Sequence, residues 1–547
     1  MKLRALLAAV VPALAAVLAP PEAVRIDALQ FDALERDAAP IDAESSAEPL
    51  RAADELDELE RDLSFSGDWW ETKRRTAVRK LADLGTPRAW ELVLGALEQS
   101  SAQVADEAEV ALARLTDKKL LQALLGAKGL GHKELAVRMR AAEACGRIGA
   151  ELDAGVLARE ARTAKEPELR RTLAWTLERR AAAGRIAAAD AKRVAEALST
   201  LARQDGVHEV RGAALGALAA LQREAAAPEV AKALADKSPV LRCAGLESAA
   251  VLGSEKAVAE ATRLADAPEL AVRTAAVDRL AALASRTAVV ALARRFEKEQ
   301  QPALAWRLRD LLRELSGVEQ SWEPAAWRHW AESLPATWQP PQRAGAPRTS
   351  AGRASAPKDA SGTGIGTPSL IGLPIVSTRL AILVDLSGSV WDTARDGKTR
   401  KQLLDEELRT ALEQLPPTSA FNLIPYTAKP IPWAKELEPA TPANVKRALE
   451  WFEARRDRGP GNFWDAALLA LEDPEVDTIL ALTDGAPTGG PRWSMELMTE
   501  WLAQENRFRR VRFDSILVDA PKGLQKHWQR LAEQSNGYSI AVEMKAR

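Results

Sequence analysis

The stretch Leu380–Ser389 reads LAILVDLSGS, five apolar residues that run into a carboxylate and two hydroxyls. A second stretch, TILALTDG at residues 478–485, repeats this arrangement about a hundred residues later. A short apolar run that is bounded by turn residues predicts a buried strand. Both stretches therefore predict strands of one sheet, with Asp385 and Asp484 at their carboxyl ends.

Around these two strands the chain alternates apolar runs with amphipathic stretches. Further strands are predicted near residues 421–426, 512–518 and 538–543, and helices near 399–415, 442–455, 463–472, 494–506 and 524–534. Such alternation predicts a mostly parallel, doubly wound α/β sheet over residues 371–547. In sheets of this kind, ligands gather at the carboxyl ends of the strands.

Two carboxylates and two hydroxyls follow the two central strands. They belong to Asp385, Ser387, Ser389 and Asp484. Hard oxygen ligands of this kind suit Mg²⁺ or Mn²⁺, which keeps waters and an open coordination position. Asp and Ser also form ordinary turns after strands, so a turn without a metal is the alternative.

The pair of motifs DLSGS and LTDG resembles the motifs of the von Willebrand factor type A (VWA) domain, with its metal-ion-dependent adhesion site. The resemblance covers residues 371–547. It implies that Asp385, Ser387, Ser389 and Asp484 surround a divalent cation. It also implies that an acidic side chain of a partner protein fills the open position of that cation.

The chain departs from the family at one expected ligand. The family usually has a Gly-Gly-Thr-Asn turn whose Thr binds the metal, whereas this chain has Gly459-Pro460-Gly461-Asn462. The Thr position is therefore Gly461, which has no side-chain oxygen. Asn462 is either an extra ligand through its amide oxygen or the N-cap of the next helix with Asp465 as its partner, and capping is favoured.

Residues 68–338 are rich in Ala, Leu and Arg, and they repeat. Anchor positions recur every 31 to 34 residues, with one interval of 41: Arg74, Ala105, Arg138, Arg170, Arg211, Arg242, Arg273 and Arg307. Apolar or small residues follow most anchors at +3, +4, +7 and +10, which is one face of a helix. About eight helix pairs are predicted, and they must stack into an all-α superhelical solenoid. The pattern resembles short HEAT repeats.

Two features of the repeats have alternative interpretations. The anchor arginines form either a stripe for anionic partners or ties between repeats, and an acidic residue six positions earlier, as in Asp205 and Arg211, favours ties. The tryptophans near the end of the array predict a cap over its last repeat or an exposed aromatic platform, and the cap is favoured. They are Trp322, Trp327, Trp330 and Trp338.

Three further segments complete the predicted organisation. Residues 1–23 pair basic residues with an apolar run shorter than the ~20 residues of a membrane helix, which predicts a signal peptide. Residues 24–67 form an acidic leader, and 339–370 form a linker rich in Pro, Gly and Ser. No later stretch is apolar enough to be a transmembrane segment. We expect an exported protein in the periplasm, at the cell surface or outside a bacterial cell.

Composition excludes several function classes. A net charge of −2 argues against a nucleic-acid binder, and two Cys and four His supply little for zinc or Cys/His chemistry. We find no nucleophile elbow and no phosphate-binding glycine loop. We therefore expect a non-enzymatic protein–protein interaction or adhesion scaffold, with the HEAT-like solenoid as a second binding surface. The alternatives are an adaptor subunit of a larger ATPase or secretion complex, and an enzyme acting in the solenoid groove.

Overall fold

The computed structural model describes residues 48–317, 323–341, 368–393 and 397–543. The predicted signal peptide, most of the acidic leader and residues 342–367 of the predicted linker lie outside the described residues. Among the helices in the described ranges, none combines the length and the apolar character that crossing a membrane requires. The chain folds into a helical array, residues 48–338, followed by a sheet domain, residues 368–543.

The helical array is a succession of short helices. Its helices are α1 Glu48–Ser64, α2 Glu71–Leu84, α3 Pro87–Gly95, α4 Ala102–Leu112, α5 Lys118–Leu125, α6 Leu135–Arg147, α7 Ala154–Thr163, α8 Pro167–Ala182, α9 Ala188–Gln204, α10 His208–Gln222, α11 Ala227–Leu234, α12 Pro239–Ser248, α13 Ser254–Leu264, α14 Leu270–Leu283, α15 Arg286–Lys298, α16 Pro302–Ser316 and α17 Pro324–Ser333. The even-numbered helices α2 to α16 contain the anchor positions, and we call them the anchor helices. Each anchor helix packs against the next one along the chain.

The apolar face predicted for the repeats is the buried face of the anchor helices. Val78, Leu215 and Val277, each four residues after its anchor, are at most 2% exposed. Burying such a stripe between neighbouring helices supplies the main driving force for stacking the repeats. The prediction of helices with this face is confirmed.

The anchor arginines tie neighbouring repeats together. Four of the anchor guanidinium groups bind a carboxylate that lies just before the next anchor helix. The pairs are Arg138 with Glu166, Arg170 with Asp205, Arg242 with Glu269, and Arg273 with Glu299. These arginines therefore bind carboxylates inside the array. The interpretation of the anchor arginines as ties between repeats is confirmed for these four pairs.

Both ends of the array are covered. Trp327 is fully buried and meets Trp330 edge-on, and Trp330 meets Trp338 in the same way, which confirms the cap. Trp322 lies outside the described residues. At the other end, Leu59 and Leu63 of α1 are buried in the core of the array. The folded part of the array therefore begins within the predicted acidic leader, before Asp68.

The sheet domain is a six-stranded mixed sheet with helices between its strands. Its elements are β1 Ser369–Leu370, β2 Leu373–Pro374, β3 Arg379–Asp385, α18 Arg400–Glu413, β4 Ala420–Tyr426, β5 Glu438–Pro439, α19 Pro442–Glu453, α20 Phe463–Glu472, β6 Thr478–Thr483, α21 Met495–Glu505, β7 Arg512–Val518, α22 Lys522–Gln534 and β8 Ser539–Val542. The strand order is β5-β4-β3-β6-β7-β8, and only β5 at the edge pairs antiparallel in this sheet. The predicted doubly wound α/β sheet is confirmed, and β5 and the β1–β2 hairpin are additions to it.

The helical array and the sheet domain are docked on each other. Phe508, just after α21, packs into the core of the array, and Trp306 of the array packs into the core of the sheet domain. A Cβ atom at Gly212 would lie 2.7 Å from the Phe508 ring, so glycine at this position of α10 makes room for the contact. The linker therefore joins two parts that share apolar cores.

Buried ion pairs extend this interface along the anchor helices. Arg507 binds the carboxylates of Glu178 and Glu247, each at 2.7 Å, while Arg147 of the array binds Glu500 of α21 at 2.6 Å. Each part of the molecule thus contributes both arginines and carboxylates to the interface. The sheet domain covers this face of the anchor helices, so a second binding surface on the solenoid, which stays a prediction, would lie on another part of the array.

Candidate cation centre

The centre lies where the two middle strands of the sheet end. β3 and β6 are parallel neighbours with Val384 opposite Leu482, so their carboxyl ends meet at one edge. Asp385 is the last residue of β3, and Asp484 directly follows β6. Asp385 is only 2% exposed. The fold therefore brings the two predicted carboxylates together from positions far apart in the chain.

Hydrogen bonds connect the predicted oxygens. The Ser387 amide donates to Asp385 Oδ1 at 2.8 Å, and the Ser389 hydroxyl donates to Asp484 Oδ2 at 2.6 Å. The hydroxyl oxygens of Ser387 and Ser389 lie 3.5 Å apart. All four predicted side chains thus belong to one oxygen cluster at the sheet edge.

Gly461 occupies the position that the sequence assigns to it. A Cβ atom built on Gly461 would lie 3.2 Å from each carboxylate oxygen of Asp385. A side chain at this position would therefore face the centre directly. Gly461 itself therefore supplies no side-chain oxygen to the centre, as the sequence predicts.

Asn462 caps the helix that follows it. Its side-chain oxygen accepts the Asp465 amide at 3.1 Å, and its side-chain nitrogen donates to Asp465 Oδ2 at 2.7 Å and to the Ala428 carbonyl at 3.0 Å. The capping interpretation is confirmed. The amide oxygen is engaged at α20, so we do not assign Asn462 to the centre.

Two residues of the centre were not predicted from the sequence. The Thr483 hydroxyl donates to Asp385 Oδ2 at 3.0 Å and accepts the Gly485 amide at 3.0 Å. Tyr426 ends β4 opposite Asp385, and its hydroxyl is buried without a hydrogen-bond partner in the described structure. Thr483 directly precedes Asp484, and Tyr426 ends the neighbouring strand, so their positions at strand ends are the signal that could have found them.

The centre contains two carboxylates, and the Arg400 guanidinium beside it donates to the Ser389 carbonyl at 2.7 Å. Among the described residues, neither Asp385 nor Asp484 forms an ion pair with Lys, Arg or His. Burial raises the pKa of Asp385 to about 6, and the nearby Asp484 carboxylate also raises it, against the lowering effect of the Ser387 hydrogen bonds. Buried charges in proteins are usually paired or coordinated to a metal.

The donor set fits a hard divalent cation. Asp385 and Asp484 would supply carboxylate oxygens, and Ser387 and Ser389 would supply hydroxyls, which are the donor types that Mg²⁺ and Mn²⁺ prefer. No group of three or more His, Cys, Asp or Glu side chains that could hold a metal ion occurs in the part of the chain that the structure describes. Any cation here would therefore rely on the hydroxyls and on water for most of its ligands.

A cleft opens beside the centre, between the sheet domain and the start of the array. It has a volume of about 590 Å³, and Pro460 and Thr488 line one wall while Glu71 and Arg74 line the other. Asp68 also lines this cleft, and its neighbour Trp69 is 91% exposed. A polar cleft thus lies beside the turn that contains Gly461, and a solvent-exposed indole follows one of its lining residues.

Comparisons with known proteins agree with this description of the sheet domain. Residues 378–540 match the sequence profile of the von Willebrand factor type A domain. The chain is similar to mouse inter alpha-trypsin inhibitor, heavy chain 4, at 32% identity over 130 residues, covering 22% of this chain and 13% of the mouse protein. It is also similar to human von Willebrand factor A domain-containing protein 3B, at 28% identity over 101 residues, 18% of this chain and 8% of the human protein.

A solved structure named von Willebrand factor type A from Catenulispora acidiphila has 15% identity and a TM-score of 0.26, covering 30% of this chain and 39% of that chain. The matches to the mouse and human relatives span only a small part of the length of those proteins. They concern one domain and not the whole chain. Residues 378–540 form a von Willebrand factor type A domain, which follows a helical array.

Proposed function

We propose that the chain is an exported, non-enzymatic scaffold that binds a partner protein through its VWA domain. The homology of this domain to inter-alpha-trypsin inhibitor heavy chains and to other VWA-containing proteins supports protein–protein interaction as its role. The partner, its compartment and the export of the chain through residues 1–23 are parts of the proposal. No catalytic step belongs to it.

The binding mechanism that we propose is cation-mediated. Asp385, Ser387, Ser389 and Asp484 would hold Mg²⁺ or Mn²⁺, and an acidic side chain of the partner would complete the coordination. The observation that carries this proposal is a hydrogen-bonded cluster of two carboxylates and two hydroxyls at the sheet edge, in which neither carboxylate forms an ion pair with another described residue. A bound cation supplies the positive charge that would make a partner carboxylate favourable there.

The cleft beside the centre is our proposed second contact surface for the same partner. It replaces the face of the anchor helices that the sheet domain covers. Exposed tryptophans are frequent energetic anchors of protein interfaces, and Trp69 is 91% exposed next to this cleft. A partner that reaches the centre would lie close enough to the first repeats to contact both parts of the molecule.

Calorimetry with Mg²⁺ and Mn²⁺ on the full chain tests the cation-mediated mechanism. We expect binding by the wild type and a loss of binding in Asp385→Ala. Affinity capture from cell-envelope proteins, with and without a chelator, then tests whether partner binding depends on the cation. Absence of cation binding, together with capture that Asp385→Ala leaves unchanged, would contradict the mechanism.

The proposed export has its own test. We expect the mature protein outside the cytoplasm to lack the apolar segment within residues 1–23, since a signal peptide is removed on export. N-terminal sequencing of the protein from the fractionated cell envelope would show this. An intact N-terminus in the cytoplasm would contradict export and would favour an adaptor role inside the cell.

A further inference from the structure

The loop 484–494 connects the candidate centre to the docked helix α21. It starts at the candidate ligand Asp484 and contains three glycines and two prolines before α21 begins at Met495. Its first half contacts the centre, and its second half contacts the helical array. The loop is therefore a direct covalent connection between the centre and the interface.

The first half of the loop is bonded to the turn that faces Asp385. The amides of Thr488 and Gly489 donate to the Gly461 carbonyl at 3.1 and 3.2 Å, and the Gly461 amide donates to the Thr488 hydroxyl at 2.7 Å. Gly490 has a φ of +92°, and a Cβ atom there would lie 2.2 Å from Asn462 Oδ1. Any displacement of this half would shift Gly461 relative to the Asp385 carboxylate.

The second half of the loop is held by a buried pair of side chains from the helical array. Asp106 of α4 accepts the amides of Trp493 at 2.7 Å and Ser494 at 2.8 Å through one carboxylate oxygen. Its other oxygen accepts the Arg140 guanidinium at 2.8 Å, and Arg140 also donates to the Pro491 carbonyl at 3.0 Å. Asp106 is 0% exposed and Arg140 is 7% exposed.

Two further contacts hold this half of the loop against the helical array. The Arg75 guanidinium lies 4.2 Å from the centre of the Trp493 ring, and Arg492 pairs with Glu143 of the array at 3.4 Å. These contacts come from three successive anchor helices, α2, α4 and α6. A carboxylate near the first turn of α21 also interacts favourably with the dipole of that helix.

We propose that Asp106 and Arg140 of the helical array are positioning residues for the candidate cation centre. They fix residues 491–494, and the bonds between Thr488 and Gly461 transmit this constraint to the oxygens around Asp385. The array thus sets the geometry of a centre to which it contributes no ligand. This inference rests on the proposed function where it concerns the affinity for a cation.

The test measures Mn²⁺ affinity in the full chain by electron paramagnetic resonance and calorimetry. We expect Asp106→Ala to weaken Mn²⁺ binding by about tenfold, the size of effect seen when residues behind metal ligands are replaced. Asp106→Asn should bind Mn²⁺ more tightly than Asp106→Ala, because its amide oxygen still accepts the two loop amides although the ion pair with Arg140 is lost. This rescue separates positioning from a general loss of folding.

Glu247→Ala is the matched control. Glu247 accepts Arg507 and Arg510 at the same interface, away from the loop, so its removal also deletes interface ion pairs. We expect its Mn²⁺ affinity to equal that of the wild type. Equal weakening in Glu247→Ala and Asp106→Ala, or no weakening in Asp106→Ala, would overturn the proposal.

The wild type binding no Mn²⁺ would contradict the cation-mediated function. The positioning role of Asp106 and Arg140 is then tested by a second measurement, amide hydrogen exchange over residues 484–490. We expect Asp106→Ala, and not Glu247→Ala, to speed exchange at Thr488 and Gly489. Unchanged exchange at these amides would overturn the positioning role independently.

Discussion

The docked interface and the candidate cation centre both bury carboxylates, but they neutralise them differently. At the interface, Glu500 receives Arg147 at 2.6 Å and Arg179 at 2.8 Å. Burial of Glu500 raises its pKa, yet these two guanidinium groups outweigh burial and hold the pKa below its usual value. Glu500 therefore remains charged inside the interface.

At the centre, Asp385 accepts the Ser387 amide and the Thr483 hydroxyl, and it has no ion pair within the described part of the chain. Burial dominates here, and the pKa of Asp385 rises to about 6. The contrast teaches that guanidinium groups balance this interface carboxylate, whereas Asp385 has no ion-pair partner among the described residues. The proposed cation would supply positive charge at the centre.

The largest expected effect is on the interface side of this comparison. Arg147→Ala leaves Glu500 and Glu109 buried with one basic partner fewer, since Arg147 binds both. Breaking a buried ion pair on one side costs about 3–5 kcal/mol of unfolding free energy. Urea denaturation of the full chain, followed by circular dichroism, measures this loss.

The double variant Arg147→Met with Glu109→Gln is the control for the Arg147 prediction. It removes the charge on both sides of this buried pair, and Glu500 keeps Arg179 as its partner. We expect it to recover part of the lost stability, because the Glu109 charge that Arg147 balanced is also removed. A loss below 1 kcal/mol in Arg147→Ala would show that this ion pair does not stabilise the folded chain.

Asp477 sharpens the comparison, because it is an interface carboxylate with neutral partners. It accepts Ser377 at 2.5 Å and the side-chain amide of Gln301 from the array. Burial raises its pKa to about 6, as for Asp385 at the centre. The pKa of a buried carboxylate should therefore depend on whether its partners are charged. It should not depend on whether the carboxylate lies at the interface or at the centre.

The sign of the pH effect follows from this raised pKa. Between about pH 4 and pH 6 the folded chain keeps a proton on Asp477 that the unfolded chain has released, so unfolding free energy falls as pH rises through this window. Asp477→Asn lacks this effect. At about 1.4 kcal/mol per pKa unit, the variant should gain about 3 kcal/mol relative to the wild type between pH 4 and pH 7.

Denaturation of both proteins at pH 4 and pH 7 checks the Asp477 prediction. Comparing the difference between the two proteins removes the contributions of all other titrating groups that the substitution leaves unchanged. A difference that stays constant over this range would show that Asp477 has an ordinary pKa in the folded chain.

A smaller effect is expected at the centre itself. Gly461→Thr places a hydroxyl beside Asp385, because a Cβ atom at this position lies 3.2 Å from both of its carboxylate oxygens. One added ligand should tighten Mn²⁺ binding about tenfold, which is about 1.4 kcal/mol. Gly461→Val has the same branched shape without the hydroxyl and is the matched control. Equal affinities of the Thr and Val variants would refute a ligand role for this position.

The smallest effect is expected at an exposed pair on the array. Arg79 binds Glu107 at 2.6 Å, but its side chain is 56% exposed. Exposed ion pairs contribute below about 1 kcal/mol because water screens them. Arg79→Ala should therefore shift the urea midpoint far less than Arg147→Ala does. A loss as large as that of Arg147→Ala would show that burial does not separate the two classes of ion pair.

The sheet and its centre could be predicted because their signals are local. Asp385, Ser387 and Ser389 lie within five residues of one strand end, and parallel strands bring their carboxyl ends to one edge. The helical repeats could also be predicted from the sequence, since apolar residues that become buried recur at helical spacing. Within that pattern Glu109 and Arg180 break the apolar face, and the structure gives each a partner: Arg147 for Glu109, and the Cys145 carbonyl for Arg180.

The interface could not be predicted, because its partners are remote in sequence. Arg507 lies 329 residues from Glu178 and 260 residues from Glu247, and no local spacing links them. Arg507 and Arg510 lie close together in the chain, but their spacing does not indicate which carboxylates of the array they bind. Only the three-dimensional fold selects the partners.

Amide hydrogen exchange at Trp493 and Ser494 in the full chain tests docking most directly. Both amides donate to Asp106, a residue of the other part of the molecule, so their protection reports the docked state. We predict that both exchange slowly in the wild type and rapidly in Asp106→Ala. Exchange in the wild type as fast as in an unstructured peptide would contradict the docked arrangement of the helical array and the sheet domain.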